Sequence, residues 1–145
     1  MKQITISILS IVIIICAILL SEFYKYKEKD TEIKEFNTQF EIYKEKQITG
    51  ADIATVINKA IDINEKNFIK KDKNGKYIQN DKNSINIEIK ITDIAQGKIY
   101  EMETLYNGGM SEFVKFYGKI SFTCKNIAYN SKGQVSYMLF EQISS

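Results

Sequence analysis

The strongest constraint on this chain is an uncharged run at residues 4–20, ITISILSIVIIICAILL, in which only Thr5, Ser7 and Ser10 are polar. As a helix, these 17 residues are about 25 Å long, slightly less than a bilayer core of about 30 Å. Aromatic residues follow at 23–26, where their rings suit the level of the lipid headgroups. The run therefore predicts a membrane-spanning helix.

Two other interpretations of the run remain open: a cleaved signal peptide and a buried soluble helix. A buried helix is disfavoured because the run is apolar on every side. Signal peptidase needs small residues before its cleavage site, and residues 18–22 offer no such pattern. A lipoprotein signal at Cys16 would need a small residue where Ile15 stands. We predict an uncleaved anchor over residues 1–21 that contacts the lipid bilayer through residues 4–20.

The charges beside the anchor leave its orientation open. Lys2 precedes the run, whereas Lys25, Lys27, Lys29 and Lys34 follow it. A strict lysine count places the C-terminal part inside, but long domains translocate largely regardless of charge. A short n-region with one lysine is also typical of an export signal. We expect a single-pass protein of the cell membrane with an extracytoplasmic C-terminal domain.

The composition argues against several classes of function. The chain has 20 lysines and neither arginine nor histidine, and its net charge is +2. It therefore lacks the commonest acid/base group and the planar fork that reads phosphate or guanine, so we expect no nucleic-acid partner. Cys16 lies in the anchor and Cys124 far along the chain, which predicts no disulfide. Two cysteines without histidine do not make a zinc site.

Residues 22–48 form a second predicted segment, an amphipathic helix that continues the anchor to about residue 46. Its apolar residues recur at helical spacings, which gives one face an apolar stripe. We expect the stripe to pack on the sheet of the same chain. The alternative is a protein partner or self-association through residues 22–46. The stripe consists of Tyr26, Ile33, Phe36, Phe40 and Tyr43.

Residues 49–145 predict an α+β head domain. Thr49 and Asp52 resemble a capping box that opens a helix ending near residue 64. Alternating isoleucines at residues 85–91 predict a strand with one buried face. The element order predicts a small antiparallel sheet with helices on one face.

The remaining elements of the head are read from turns and periodicity. The turn at residues 72–75 joins two short predicted strands at 68–70 and 76–78. Residues 100–118 predict a helix that Gly108 and Gly109 interrupt. The last 27 residues predict a β-hairpin, with a bulge near residues 125–126 where the alternation changes parity.

No residues form a convincing catalytic, cofactor or metal site. Glu101, Glu103, Glu112 and Glu141 supply carboxylates, but no spacing places a pair around a pocket. Cys124 lacks a neighbouring histidine and is expected to be a small buried residue. We therefore predict no enzymatic activity, no cofactor and no small-molecule substrate.

Residues 66–76 contain a turn and a group of lysines, and each has both a ligand-binding interpretation and a purely structural one. The turn at 72–75 has its glycine at the wrong position for a calcium loop, so a plain hairpin turn is favoured. The basic loop that carries Lys66, Lys70, Lys71, Lys73 and Lys76 suits an anionic surface. Acidic neighbours dilute that charge, and a solvated loop is the favoured interpretation.

The phrases ITGADIATVINKAIDINEKN, NSINIEIKI, YEMETLYNGGMSEFVKFYG and FTCKNIAYN with GQVSYMLFEQ cover much of the chain. They resemble an uncharacterised family of small single-pass proteins from low-GC, Gram-positive-type bacteria. The family has no established activity, so the resemblance carries over no catalytic residue. It leads us to expect a histidine after Tyr129, where this chain has Asn130.

The predicted architecture is also similar to type IV pilins and pseudopilins, in which an apolar N-terminal helix extends into an α+β head. The likeness is architectural, because the glycine-ended leader and the acidic residue of prepilins are missing here. The leading hypothesis is a non-enzymatic binding or assembly module of the cell envelope. The alternatives are a pilin-like subunit and a carboxylate-based envelope enzyme.

Overall fold

The computed structural model describes residues 2–92 and 97–143, with side chains described from residue 11 onward. The chain divides into two compact units, Met1–Glu35 and Phe36–Ser145. The first helix, α1, spans Lys2–Glu41 and so begins in the first unit and ends in the second.

The part of α1 in the first unit is apolar and exposed at residues 11–20. Among the residues that the structure describes, no helix is both long enough and apolar enough to cross a membrane. The transmembrane helix predicted at residues 4–20 stays a prediction. The side chains of residues 4–10 lie outside the described part of the chain.

Helix α1 ends at Glu41, earlier than the predicted end near residue 46. The Tyr43 and Lys44 N–H groups donate to the carbonyls of Phe40 and Glu41, which closes a tight turn. Strand β1, Gln47–Thr49, follows at the edge of the sheet. The prediction was wrong here because a three-residue strand has too little pattern to compete with a helical stripe.

The capping box predicted at Thr49 is confirmed at the start of α2, Gly50–Lys66. The Thr49 N–H donates to Asp52 Oδ2 at 2.8 Å, and the Asp52 N–H donates to Thr49 Oγ1 at 3.3 Å. Both groups would otherwise be unpaired donors at the helix start. The buried face of α2 comprises Gly50, Ile53, Ala54, Val56, Ile57, Ala60, Ile61 and Asn64.

The sheet has five strands in the order β1-β4-β5-β2-β3. Its remaining strands are β2 (Asn86–Ile91), β3 (Lys98–Glu101), β4 (Ser121–Tyr129) and β5 (Val135–Gln142). The α+β class and the strand at 85–91 are confirmed. The sheet is mixed and not antiparallel as predicted, because β2 and β5 pair in parallel.

The region predicted as one interrupted helix at residues 100–118 is partly strand. Tyr100 belongs to β3, and only then follow α3, Met102–Asn107, and α4, Met110–Tyr117. The break at Gly108 and Gly109 is confirmed. Gly109 has a φ of +101°, a conformation that other residues rarely adopt.

The predicted hairpin and its bulge are confirmed in β4 and β5. The register shifts between Cys124 and Asn126, which returns Ile127 to the face that holds Met138. The strands predicted at 68–70 and 76–78 are wrong, because the structure has a single bridge between Lys71 and Tyr77.

One face of the sheet carries the core and the other carries polar side chains. Ile87 and Ile89 of β2 cluster with Phe140 of β5 and with the buried face of α2. Phe40 at the end of α1 joins the same cluster, so part of the predicted stripe packs within the head. The intervening residues of β2 and β5 are half-buried on the opposite face.

Asn64 connects α2 to the first residues of the sheet from a fully buried position. Its Nδ2 donates to the Ile85 carbonyl at 2.8 Å, and its Oδ1 accepts from the Ile85 N–H at 2.8 Å. The side-chain amide thus pairs with both polar groups of one backbone residue, as a neighbouring strand would. Without it, a buried N–H and a buried carbonyl would lack partners.

We expect Asn64→Ala to lower the free energy of unfolding by about 2–4 kcal/mol, because two buried backbone groups lose their partners. The measurement is urea unfolding of the full chain in non-ionic detergent. Asn58→Ala, at an exposed position of the same helix, is the control and should change stability by less than about 0.7 kcal/mol. Equal effects of the two substitutions would contradict the role of Asn64.

Candidate functional site

A cavity of about 340 Å³ lies where four segments of the second unit meet. These are the end of α1, the end of α2, the loop before β2 and the turn between β4 and β5. The residues that line it are Phe36, Ile63, Lys66, Asn67, Asn83, Ile85, Asn130, Lys132, Gln134 and Val135.

Asparagine side chains hold the walls of this cavity together. Asn67 Nδ2 donates to the Asn83 carbonyl at 2.8 Å, which joins α2 to the loop before β2. Asn130 Nδ2 donates to the Lys82 carbonyl at 3.0 Å, which joins that loop to the turn between β4 and β5. These bonds connect segments far apart in sequence, so the cavity is a product of the folded state.

A third clamp ties α1 to the same turn. Asn37 Nδ2 donates to the Gly133 carbonyl at 2.8 Å, and the Val135 N–H donates to Asn37 Oδ1 at 2.8 Å. Asn130 also shapes the turn from within, because its Oδ1 accepts the N–H groups of Lys132 and Gln134. The backbone that carries Lys132 is therefore fixed by hydrogen bonds on both sides.

The cavity combines an apolar floor with a polar, positively charged rim. Both charged side chains that line it are lysines, Lys66 and Lys132. Neither ammonium group has an ion-pair or hydrogen-bond partner within the described part of the chain, and the same holds for the side-chain amides of Asn83 and Gln134. The rim thus offers unused donors above apolar side chains.

Phe68 directly follows the cavity residue Asn67, and both its backbone conformation and its exposure are unusual. Its φ is +54°, and it is the only described residue other than glycine with a positive φ. Its side chain is 91% exposed. Neither burial nor backbone preference explains a phenylalanine here, since glycine or asparagine suits this position after a helix.

The basic loop predicted at residues 66–76 does not form one cationic surface. Lys71 lies 3.7 Å from Glu65 and 4.6 Å from the centre of the Tyr77 ring. Lys76 forms an ion pair with Glu101. Lys66 instead lines the cavity, so the structure disperses the predicted cluster.

The four glutamates considered for carboxylate chemistry have separate partners. Glu103 is buried and accepts the Tyr77 N–H at 3.0 Å, while Glu101 pairs with Lys76. Glu112 lies 3.9 Å from Lys115. The ammonium group of Lys90, 2.7 Å away, holds the pKa of Glu141 below its usual value. None of the four lines the cavity.

Cys124 and the turn at Asp72 have structural environments. Burial raises the pKa of the half-buried Cys124 thiol, which disfavours the nucleophilic thiolate. Asp72 Oδ1 accepts the N–H groups of Lys76 and Asn74, and these bonds lower the pKa of Asp72. Over residues 2–92 and 97–143, no cluster of three or more acidic or cysteine side chains is placed to hold a metal ion.

Two tyrosines donate to carboxylates and are correspondingly hard to ionise. Tyr129 Oη donates to Glu41 Oε1 at 2.6 Å, and this bond, with burial, raises the pKa of Tyr129 to about 12. Burial and a 2.8 Å hydrogen bond to Glu88 raise the pKa of Tyr137 to about 12. The first pair ties α1 to β4, and the second ties β5 to β2.

A second concave surface lies between β3 and the two short helices. Its volume is about 230 Å³, and its described lining is mostly apolar and includes the charged residue Glu112. Phe116 at its rim is 66% exposed. The lining is Ile91, Tyr100, Thr104, Leu105, Gly108, Gly109, Glu112, Phe113, Phe116 and Tyr117.

No family model, curated protein or solved structure matches this chain. The resemblance to a family of small single-pass proteins therefore stays a prediction.

The cavity was not predicted from the sequence. Lys66 was singled out only as part of the basic loop, and Asn130 only as the residue in place of an expected histidine. Asparagine is frequent in this chain, so the sequence did not single out the four asparagines whose side chains join distant segments. Their hydrogen-bond partners are backbone groups 16 to 98 residues away. The sequence contained one signal for this role: Asn130 stands at the start of a hairpin turn, where an asparagine side chain can bond to the backbone of the turn.

Phe68→Gly should raise the free energy of unfolding by about 0.5–1 kcal/mol relative to Phe68→Ala. A positive φ costs a residue with a Cβ about 1–2 kcal/mol, and the larger unfolded-state entropy of glycine cancels part of this gain. Urea unfolding of the two variants, which both lack the exposed ring, is the measurement. Equal stability would contradict a strained backbone at Phe68.

The tyrosine–carboxylate pairs predict a loss of stability in alkali. A raised folded-state pKa contributes stability that is complete below the ordinary value of 10 and is lost as pH rises to about 12. We expect tyrosinate absorbance to lose one late-titrating group in Tyr129→Phe and one in Tyr137→Phe. Glu41→Gln should move only the Tyr129 group toward 10, and an unchanged titration in that variant would refute the pair.

Proposed function

We propose that this protein is a non-enzymatic binding module of the cell envelope, held at the lipid bilayer by residues 4–20. Its second unit, residues 36–145, provides the binding surface. This proposal keeps the leading hypothesis from the sequence and adds a specific cavity to it.

The observation that carries the proposal is the exposure of apolar side chains in α1. Every large apolar side chain at residues 11–20 is at least 48% exposed. Transferring one fully exposed side chain of this kind from water to an apolar environment is worth about 1.5–3 kcal/mol, so eight of them favour an apolar surrounding by at most roughly 12–24 kcal/mol. These residues are Ile11, Val12, Ile13, Ile14, Ile15, Ile18, Leu19 and Leu20.

The aromatic and charged residues after this run support a bilayer as that surrounding. Phe23, Tyr24 and Tyr26 are each at least 60% exposed, which suits amphipathic rings at the level of the headgroups. Charged residues follow, and the ion pair of Lys34 with Asp30 at 2.7 Å is of the kind that a water-exposed helix carries.

A binding role fits the second unit better than catalysis does. Among the described residues, the cavity is lined by amides, lysines and apolar side chains, with no carboxylate, thiol or hydroxyl. The glutamates and Cys124 lie elsewhere with partners of their own. The lysines Lys66 and Lys132 are exposed to water.

Cell fractionation with a matched pair of variants tests the bilayer contact. We expect the wild-type chain to sediment with membranes and to resist alkaline extraction. Val12→Lys places a charge within the apolar run at a cost of about 2.5–3.5 kcal/mol and should increase the fraction of the protein that alkaline extraction releases. Thr31→Lys, at an exposed position of the same helix, should behave like wild type.

A wild-type chain that stays in the soluble fraction would overturn the bilayer contact. Protease digestion of a C-terminal tag then tests the orientation in the same cells after wall removal. We expect digestion without lysis, as an extracytoplasmic second unit requires. Protection until lysis would place that unit inside and leave the bilayer contact standing.

A further inference from the structure

The cavity at the end of α2 has the features of an anion-binding site. Lys66 and Lys132 come from segments 66 residues apart in sequence and line the same cavity. None of the described residues that line it is acidic. Two cations on one concave surface favour a negatively charged ligand.

Neutral hydrogen-bond donors also line the cavity, and such donors favour particular orientations of a bound anion. The side-chain amides of Asn83 and Gln134 line the cavity, and neither has a hydrogen-bond partner within residues 2–92 and 97–143. Amide N–H groups and ammonium groups together are typical of sites for carboxylate or phosphate oxygens.

The backbone around the cavity does not oppose an anion. A helix C-terminus is ordinarily rich in free carbonyls, which repel negative charge. At the end of α2, the carbonyls of Ile63, Asn64 and Glu65 already accept N–H groups from residues 67–69. Lys66 adds a positive charge at the same point.

The apolar side chains at the floor of the cavity indicate that the ligand also has an apolar group. Ile85 and Val135 are buried, and Phe36 and Ile63 are half-buried beside them. A free inorganic ion would leave the exposed parts of Phe36 and Ile63 in contact with water, whereas an apolar group on the ligand would cover them. The volume of about 340 Å³ leaves room for such a group.

We propose that the cavity binds an organic anion whose carboxylate or phosphate contacts Lys66 and Lys132 and whose apolar part covers Phe36 and Ile63. This inference rests on the proposed binding role of the second unit and does not depend on the bilayer contact. The asparagine clamps hold the site in place before the ligand arrives, which reduces the entropy that binding costs.

Three small probes of similar shape test the charge requirement and its source. N-acetyl-phenylalanine carries a carboxylate, phenyl phosphate carries a phosphate, and N-acetyl-phenylalanine amide is the neutral match. We expect saturable shifts at the backbone amides of Asn83, Lys132 and Gln134 in NMR titrations of the full chain in non-ionic detergent. At least one anion should bind about tenfold or more tightly than the neutral amide.

Charge-removing variants locate the site. Lys66→Gln and Lys132→Gln should each weaken anion binding by about three- to tenfold and leave the neutral probe unaffected. Lys73→Gln removes an exposed lysine that does not line the cavity, and it should bind like wild type. Added salt should weaken the anions more than the amide.

The outcomes separate clearly. Binding of only the carboxylate or only the phosphate upholds the proposal and identifies the source of the anion. The proposal is overturned if no anion gives saturable shifts, if the neutral amide binds equally well, or if Lys73→Gln weakens binding as much as the cavity variants. Membrane sedimentation of Lys66→Gln and Lys132→Gln should match wild type, so a failure here is distinct from a failure of the bilayer contact.

Discussion

The hydrogen bonds between the Asn64 side chain and the Ile85 backbone hold the head of this protein in register. They fix the end of α2 against the first residue before β2, at a fully buried position. Because a buried unpaired amide is costly, this pair admits one placement of the helix along the sheet. Ile85 and Lys66 also line the cavity, so its shape depends on the same placement.

The cavity extends this use of asparagine to three further segments. Asn67, Asn130 and Asn37 each donate to a carbonyl distant in sequence, and together they join α1, α2, the loop before β2 and the β4–β5 turn. Such side chains provide both a donor and an acceptor at short reach, which suits the bridging of irregular backbone. The asparagines therefore hold the walls, and the lysines and apolar residues between them face the cavity.

The local sequence pattern predicted the structure correctly where residues a few positions apart determine it. Four predicted features are confirmed: the capping box at Thr49, the alternation at residues 85–91, the break at Gly109 and the bulge after Cys124. They could be predicted because each depends on residues a few positions apart. Short elements were harder. Strands β1 and β3 have three and four residues, too few for periodicity, and they exist because longer strands are present to pair with them.

By itself, the sequence determined the apolar run at residues 4–20, the α+β class and the lack of histidine and arginine, because composition and short-range periodicity carry that information. Tertiary structure alone decided the parallel pairing of β2 with β5, which brings together strands about 50 residues apart. It also decided the cavity. Lys66 and Lys132 are ordinary exposed lysines in a lysine-rich chain, and only long-range hydrogen bonds to backbone groups place them on one concave surface.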